Sequence, residues 1–327
     1  MPERDLIQQL DQAIDAMRAG AEAHAGPEAM ELIRVAKMVR DVPDDDFRAR
    51  LRTELIGEMR EIERSKKMTS TIGQKTGTWL RAGFTTLTPY LHVANAAAQI
   101  EFLKRVFGAV ELGRYPGPDG KIMHAEVKIG DSMVEMGEPP VPRGIPLHIY
   151  VPDVDAAYRR ALEAGASSLG EPVDHEYGER GAGVRDPEGN HWYIATAQGA
   201  HFVPEGLHVV NIYLHPKGAP SLIEFLTSAF GAEQVSRHEA GGAVVHAQMR
   251  LGDSVLEMGE AHGPYQPMPA GIHYYVPNVD ETFERSIAAG AERVRDPRNE
   301  PYGERGAIVR DPHGNEWYLA TALAEPR

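Results

Sequence analysis

The sequence predicts an α+β protein that contains two copies of one domain behind a small helical region. The first observation is an internal repeat: IGDSMVEMGE at residue 129 returns as LGDSVLEMGE at residue 251, and YGERGAGVRDPEGNHWYIATA at residue 177 returns as YGERGAIVRDPHGNEWYLATA at residue 302. The second is that each copy shows a strand, a helix and further extended segments, twice over. Blocks repeated in the same order over this length indicate two homologous domains, which we place at residues 84–198 and 206–324.

The N-terminal part of the chain has a different character. Residues 1–64 predict helices, and the clearest one follows Pro43 with a single apolar stripe of Phe47, Leu51, Leu55, Met59 and Ile62. A stripe of this kind indicates a core face or a helix partner. Residues 65–83 begin with a polar stretch rich in Thr, Gly and Lys, which is typical of a linker.

Composition excludes several classes of partner and chemistry. The chain has 34 Lys and Arg against 48 Asp and Glu, so its formal charge of −14 disfavours nucleic acid and anionic membranes. It has no cysteine, which excludes disulfides, thiolate metal ligands and thiol nucleophiles. The first twenty residues contain no continuous apolar stretch, and we therefore expect a cytoplasmic protein.

The predicted strands separate an apolar face from a polar one, because side chains alternate along a strand. Leu87, Leu91 and Val93 share one face of the first strand, which leaves Tyr90 and His92 on the other. Corresponding polar faces elsewhere carry further His, Tyr and Glu side chains. If the sheet curls around its polar face, these groups converge in a cup. The alternative is that the polar face is the solvent-exposed side of a half-buried antiparallel sheet.

Several segments resemble the glyoxalase/bleomycin-resistance/dioxygenase (vicinal oxygen chelate) superfamily, and most closely its PhnB-like branch. They are TPYLHVANAAAQIEFLKRVFGA, PGPDGKIMHAEVKIGDS, LHIYVPDVDAAYRRALEAGA and YGERGAGVRDPEGNHW, and both repeats take part. The resemblance implies paired βαβββ modules, a curled mixed sheet in each domain and a small-molecule cavity in its hollow. It also implies that the two copies pair inside the chain, in place of the dimer of single-domain relatives.

Metal-dependent members of the superfamily carry ligands on the first and last strands of each module. By position these correspond to Thr88, Glu135, Pro146 and Tyr193 in the first repeat, and to Asn211, Glu257, Gly271 and Tyr318 in the second. Only the glutamates are competent ligands. A site shifted along the strands is the alternative, with His92, Glu135 and His148 in the first repeat and His215, Glu257 and His273 in the second.

Such a triad would hold iron, zinc, manganese or nickel, and the opposing interpretation is three separately hydrogen-bonded side chains without a metal. The second repeat has Glu316 where the first has His191, and is the better metal candidate of the two. We assign catalytic roles to Glu135, Glu257, Tyr193 and Tyr318, and ligand-binding roles to Tyr90, Tyr150, Arg180, Tyr213, Tyr275, Arg305 and Glu316.

Two further motifs allow two interpretations each. Arg180 and Arg305 of the YGER segments could clamp an anionic substrate group, or Glu179 and Arg180 could form a surface ion pair beside a turn. His124 and His246, in MHAE and VHAQ, are expected to be rim or structural histidines.

Three functions are consistent with these patterns. The first is a metal-dependent lyase, isomerase or dioxygenase acting on a small molecule. The second is metal-free sequestration of a small, partly aromatic or anionic compound, which the loss of the usual ligands favours. The third is a ligand sensor whose N-terminal helices recruit a partner.

Overall fold

The computed structural model of the chain describes residues 79–323, which lie in the second of two compact units, Thr76–Arg327. The helices predicted within residues 1–64 and the linker up to residue 78 lie outside the described residues. Both repeats fall within them, apart from residue 324.

The described residues form four βαβββ modules, two in each repeat, as predicted. The first consists of β1 (Leu87–His92), α1 (Ala96–Phe107), β2 (Val110–Pro116), β3 (Ile122–Ile129) and β4 (Ser132–Gly137). The second consists of β5 (Pro146–Tyr150), α2 (Val154–Glu163), β6 (Ser167–His175), β7 (Glu179–Arg185) and β8 (His191–Ala197). The third consists of β9 (Val210–Leu214), α3 (Ala219–Phe230), β10 (Glu233–Ala240), β11 (Ala243–Leu251) and β12 (Ser254–Met258). The fourth consists of β13 (Gly271–Tyr275), α4 (Val279–Ala288), β14 (Glu292–Asn299), β15 (Glu304–Arg310) and β16 (Glu316–Ala322).

The helices begin and end at signals that the sequence contains. Asn95 caps α1 through its side chain, which accepts a hydrogen bond from the Ala98 amide, and Gly108 ends the helix with a φ of 69° that favours glycine. The EMGE repeats supply a second cap, because Glu138 accepts from the Ala96 amide and Glu260 from the Ala219 amide. No helix in residues 79–323 is long and apolar enough to cross a membrane.

The strands pair between the two repeats. The first sheet has the order β14-β15-β16-β13-β1-β4-β3-β2 and joins modules one and four, while the second has the order β10-β11-β12-β9-β5-β8-β7-β6 and joins modules two and three. The central contacts are antiparallel, between β1 and β13 and between β5 and β9. The predicted fold class of tandem domains built from paired βαβββ modules is confirmed. The partner of each module differs from the expectation, because each sheet combines one module from each repeat.

The helices pack inside a repeat, in contrast to the strands. Arg160 of α2 donates to the Val106 carbonyl of α1 at 2.9–3.0 Å, and Phe107 of α1 lies 5.0 Å from Trp192 of β8 between ring centroids. Phe230 of α3 lies 4.6 Å from Trp317 of β16 in the same way. Both tryptophans are fully buried. The helices of each repeat thus contact strands of both sheets within one hydrophobic core that includes both repeats, which makes the two sheets interdependent.

The sequence pattern did not locate the strand β6, although the predicted βαβββ module requires a strand at this position. Its residues, SSLGEPVDH, are mostly exposed and include Gly and Pro, and it lies at the edge of its sheet. Edge strands tolerate Gly and Pro because one side of the backbone needs no ladder partner. Its counterpart β14 has the same exposed character.

Candidate functional site

Each sheet gathers polar side chains from both repeats on one face, which we call the first cup and the second cup. The first cup contains Tyr90, His92, His124, Glu126, Glu135, His273, Tyr275, Glu304, Glu316 and Tyr318. The second contains Tyr213, His215, His246, Gln248, Glu257, His148, Tyr150, Glu179, His191 and Tyr193. The hydrogen bonds described below run within each set.

A buried His–Glu dyad occupies each cup. Nδ1 of His273 lies 2.7 Å from Oε2 of Glu135, and Nδ1 of His148 lies 2.7 Å from Oε2 of Glu257. Both glutamates are 1% exposed. Within residues 79–323, Nε2 of each dyad histidine makes no hydrogen bond; for His273 its nearest carboxylate oxygen is Oε2 of Glu304, at 3.8 Å. This nitrogen therefore retains an unused hydrogen-bonding position.

The charge state of each dyad follows from burial and the neighbouring carboxylate. Burial alone would lower the pKa of His273, but the Glu135 carboxylate outweighs it and the pKa is raised above its ordinary value. His148 shows the same balance with Glu257, and its pKa is also raised. In turn, His148 holds the pKa of Glu257 below its ordinary value although burial acts in the opposite direction. The carboxylates thus favour the protonated form of the dyad histidines.

Tyrosines complete the walls of the cups in matching pairs. Tyr275 donates to Glu304 at 2.6 Å, and Tyr150 donates to Glu179 at 2.8 Å. A second type of pair joins His92 Nε2 to the Tyr318 hydroxyl at 2.7 Å and His215 Nε2 to the Tyr193 hydroxyl at 2.8 Å. Burial lowers the pKa of both His92 and His215 to about 4, so these two histidines are neutral at pH 7.

Glycine leaves room for one tyrosine in the first cup. Tyr90 directs its hydroxyl toward the Met123 carbonyl and His124 Nδ1, each at 3.4 Å. A Cβ atom on Gly137 would lie 2.8 Å from that hydroxyl and 2.6 Å from the Met123 oxygen. The EMGE motif thus requires glycine at this position, because the Tyr90 hydroxyl and the Met123 carbonyl leave no room for a Cβ atom.

The structure divides both triads that the sequence suggested. His92 and Glu135 lie in the first cup but His148 lies in the second; likewise His215 and Glu257 lie in the second cup and His273 in the first. The residues brought together are His92, Glu135 and His273, and separately His215, Glu257 and His148. The triads are divided because the modules pair between repeats. Each polar side chain keeps its predicted face of the strand, but the neighbouring strand comes from the other repeat.

The positions of the superfamily's metal ligands are regrouped in the same way. The first cup has Thr88, Glu135, Gly271 and Tyr318 at these positions, and the second has Asn211, Glu257, Pro146 and Tyr193. Thr88 Oγ1 is buried without a hydrogen-bond partner, and a hydroxyl, a glycine and a phenol do not replace the His and carboxylate ligands of a metal site. These positions therefore do not fit the superfamily's usual metal centre.

A different cluster in the first cup has ligand chemistry. His124, Glu126 and Glu135 each offer one ligand atom, and the three atoms lie within 4.8 Å of one another. Arg81 already binds Glu126 through two contacts of 2.6 and 3.1 Å. The second cup has Gln248 in place of Glu126, paired in register with Glu257 as Glu126 is with Glu135. His124, expected to be a rim or structural histidine, thus lies beside the cup's central carboxylate, with Nε2 3.8 Å from Oε1 of Glu135.

Arg180 and Arg305 form surface ion pairs with residues other than the one predicted. Arg180 binds both carboxylate oxygens of Asp155 at 2.6 and 2.8 Å, and Arg305 binds Asp280 in the same way. The predicted pair of Glu179 with Arg180 is wrong, because the two side chains alternate across β7 and Glu179 instead accepts from Tyr150 in the cup.

Glu179 and Glu304 are cup residues that sequence reasoning missed. They stand beside the more conspicuous arginines in the YGER repeats, and the alternation along β7 and β15 is the signal that could have separated the two faces. Glu316 is placed in the first cup, together with Glu135 from the other repeat. It is engaged by Arg310 at 3.0 Å and Tyr318 at 3.1 Å, and so does not make the second repeat a separate metal site.

Comparison with known proteins agrees with this architecture. The sequence profile of the Glyoxalase/Bleomycin resistance protein/Dioxygenase superfamily matches residues 85–194 and again residues 208–319. The chain belongs to this superfamily. As a glyoxalase-like protein it carries two copies of the superfamily domain, and residues 1–78 lie outside the matched ranges.

Relatives of this superfamily member include an uncharacterized protein of Mycobacterium tuberculosis, 41% identical over 123 residues that cover 33% of this chain and 72% of that protein. A putative glyoxylase of the same organism, CFP32, is 27% identical over 239 residues, covering 68% of this chain and 89% of the relative. Glyoxalase I from Zea mays is similar in structure, with a TM-score of 0.56 at 18% identity, and the alignment covers 71% of this chain and 90% of that one. At this identity the likeness shows the fold alone.

Proposed function

We propose that the chain binds a small molecule in each composite cup and that the His–Glu dyad exchanges a proton with it, as in an isomerase or lyase. The observation that carries this proposal is the free Nε2 of each dyad histidine, whose Nδ1 is held at 2.7 Å by a buried glutamate. A carboxylate on one ring nitrogen fixes the orientation of the imidazole and stabilises its protonated form. The neutral form of such a histidine is a general base for proton removal next to a carbonyl group, and the protonated form that results returns the proton.

Proton exchange with solvent tests this directly and requires no complete reaction. We would incubate the full chain in D2O with a panel of small α-hydroxy ketones and α-hydroxy aldehydes, and follow deuterium incorporation beside the carbonyl by proton NMR. We expect catalysed incorporation that is abolished in the His148→Gln/His273→Gln variant. Arg180→Gln, which alters a surface ion pair outside the cups, is the matched control and should retain it.

The other outcomes separate the alternatives. Compounds that bind in the cups without any deuterium incorporation would overturn the proton-transfer proposal and support sequestration without turnover. Incorporation that persists in the double histidine variant would place the base elsewhere.

A divalent metal in the first cup is a second candidate, favoured by the cluster of His124, Glu126 and Glu135. A bound iron, zinc, manganese or nickel ion would supply Lewis-acid polarisation of a ligand oxygen. Two carboxylates and one imidazole are a donor set that these metals accept. Glu126 would have to bind the metal beside Arg81, which holds the same carboxylate.

The two cups provide matched variants for this candidate. After incubation with each metal and removal of excess, elemental analysis should find one equivalent in the wild type, none in Glu126→Gln, and a second equivalent in Gln248→Glu. A metal content unaffected by Glu126→Gln, or a chain that retains no metal, would contradict it.

A further inference from the structure

Arg143 gives the first cup a charged end that the second cup lacks. Its backbone amide donates to the His92 carbonyl at 2.9 Å, which fixes the loop between β4 and β5 at the end of β1. Its guanidinium reaches the cup, where Nη2 lies 2.8 Å from Oε2 of Glu316. The arginine thus belongs to the first repeat and Glu316 to the second.

The guanidinium retains unused hydrogen-bonding capacity. Nε of Arg143 is buried and has no hydrogen-bond partner, whereas Nη2, also buried, forms the 2.8 Å ion pair with Glu316. Glu316 also accepts from Arg310 Nη2 at 3.0 Å and from the Tyr318 hydroxyl at 3.1 Å. A buried donor without an acceptor is unfavourable, and an acceptor on a bound molecule would relieve that cost.

The surroundings of Arg143 favour a planar molecule with an acidic group. The rings of Tyr90 and Tyr318 lie 5.1 Å apart between centroids, and Tyr90 and His92 lie 5.5 Å apart, so aromatic faces line this end of the cup. His92 is neutral, because burial and Arg143 both lower its pKa. The planar fork of an arginine matches the two oxygens of a carboxylate.

The second cup replaces the charged residues at the same end. Tyr265, in the loop between β12 and β13, lies 5.2 Å from His215 and 6.0 Å from Tyr193 between ring centroids. These are the counterparts of His92 and Tyr318, which flank Arg143 in the first cup. His191 takes the place of Glu316, since it pairs in register with Pro146 as Glu316 does with Gly271.

We propose that Arg143 forms a carboxylate-binding subsite in the first cup, so that this cup takes an aromatic carboxylate while the second cup takes an uncharged aromatic compound. The assignment rests on the proposed binding role of the cups and adds the class of ligand that each one selects. Arg143 would bind the carboxylate with Nε and with Nη2, which the ligand would share with Glu316, and the Tyr90 and Tyr318 rings would contact the ring of the ligand.

Two probes of nearly equal shape test the subsite: 4-fluorobenzoate and 4-fluorobenzamide, titrated into the full chain and followed by fluorine NMR. We expect the benzoate to bind at least about tenfold more tightly than the benzamide, the scale of one charge-assisted hydrogen bond. Arg143→Met should remove that preference and leave benzamide binding unchanged. Arg143→Lys, which keeps the charge and loses the fork, should give an intermediate loss.

Arg180→Met is the matched control, because it removes the same charge from a surface ion pair. The inference is overturned if 4-fluorobenzoate does not bind, if the two probes bind equally, or if Arg143→Met weakens both alike in a chain whose thermal unfolding is unchanged. The deuterium experiment is independent of this result. An Arg143-dependent preference without proton exchange would sustain the subsite and reject the catalytic proposal.

Discussion

At the scale of single residues, the two cups contain histidines in opposite electrostatic situations. His148 and His273 lie against buried carboxylates, which raise their pKa. His92 and His215 are hydrogen-bonded through Nε2 to tyrosine hydroxyls, and burial lowers their pKa to about 4. The sequence predicted that these residues share a polar face. It could not predict their partners, because alternation fixes the face of a side chain and says nothing of the neighbouring strand.

The lowered pKa values of His92 and His215 predict a loss of stability in acid. Protonation of these histidines is less favourable in the folded state than in the unfolded state. The free energy of unfolding is therefore at its full value above the unfolded pKa of about 6.5 and declines as the pH falls toward 4. From 6.5 to 4 the loss is roughly 3 kcal/mol for each histidine. Urea unfolding at a series of pH values should show a shallower pH dependence in His92→Gln/His215→Gln than in the wild type.

His238→Gln is the control for that series, because His238 is exposed. It should reproduce the wild-type pH dependence. An equally steep loss between pH 6.5 and 4 in the double variant would show that these two histidines do not remain neutral in the folded chain.

At the scale of elements, the DPEGN and DPHGN turns do more than reverse the chain. Asp186 is 2% exposed, and its Oδ2 accepts from Gln99, Asn190 and Trp192 at 2.8–2.9 Å. The turn before β8 in the second sheet is thereby tied to α1, which belongs to a module of the first sheet. The turn itself could be predicted from Pro and Gly, but the contact with Gln99 depends on tertiary packing.

Removal of this carboxylate should be among the most destabilising changes to the fold. Asp186→Ala leaves three buried side-chain donors without an acceptor, and we expect a loss of about 3 to 5 kcal/mol in the free energy of unfolding. Asp311→Ala should cost somewhat less, since Asp311 accepts side-chain hydrogen bonds from Asn315 and Trp317 only. Chemical denaturation measures both.

Asp296→Ala serves as the reference, because Asp296 is exposed and forms one surface ion pair with Arg293. A change within about 0.5 kcal/mol is expected there. If Asp186→Ala is as mild as this reference, the turn carboxylate does not link the two sheets in the way the hydrogen bonds indicate.

At the scale of the whole molecule, the repeats are homologous in sequence and interlaced in structure. The sequence contained the four modules, the polar faces and the caps of the helices. The sequence could not predict which strand pairs with β1. The two candidates, β5 and β13, have equivalent faces and carry His148 and His273 at equivalent positions. Pairing of β1 with either strand would bury the same apolar pattern, so the arrangement depends on the connections and on packing between repeats.

The measurement that tests this architecture most directly uses the absence of cysteine in the natural chain. Leu87 of β1 is paired in register with Tyr274 of β13, next to the hydrogen-bonded position at which the Tyr275 amide donates to the Thr86 carbonyl. Leu87 and Tyr274 are thus a non-hydrogen-bonded pair. Residues in such antiparallel pairs have Cα atoms about 4.5 Å apart, which a disulfide can span. The alternative partner inside the first repeat is Ile149, which follows His148 as Tyr274 follows His273.

We predict that the variant Leu87→Cys/Tyr274→Cys forms an intramolecular disulfide on mild oxidation, detected by peptide mapping with mass spectrometry, and that Leu87→Cys/Ile149→Cys remains reduced under the same conditions. A disulfide in the Ile149 variant and none in the Tyr274 variant would show that each repeat closes its own sheet. That result would contradict the composite cups and the pairing of Glu135 with His273.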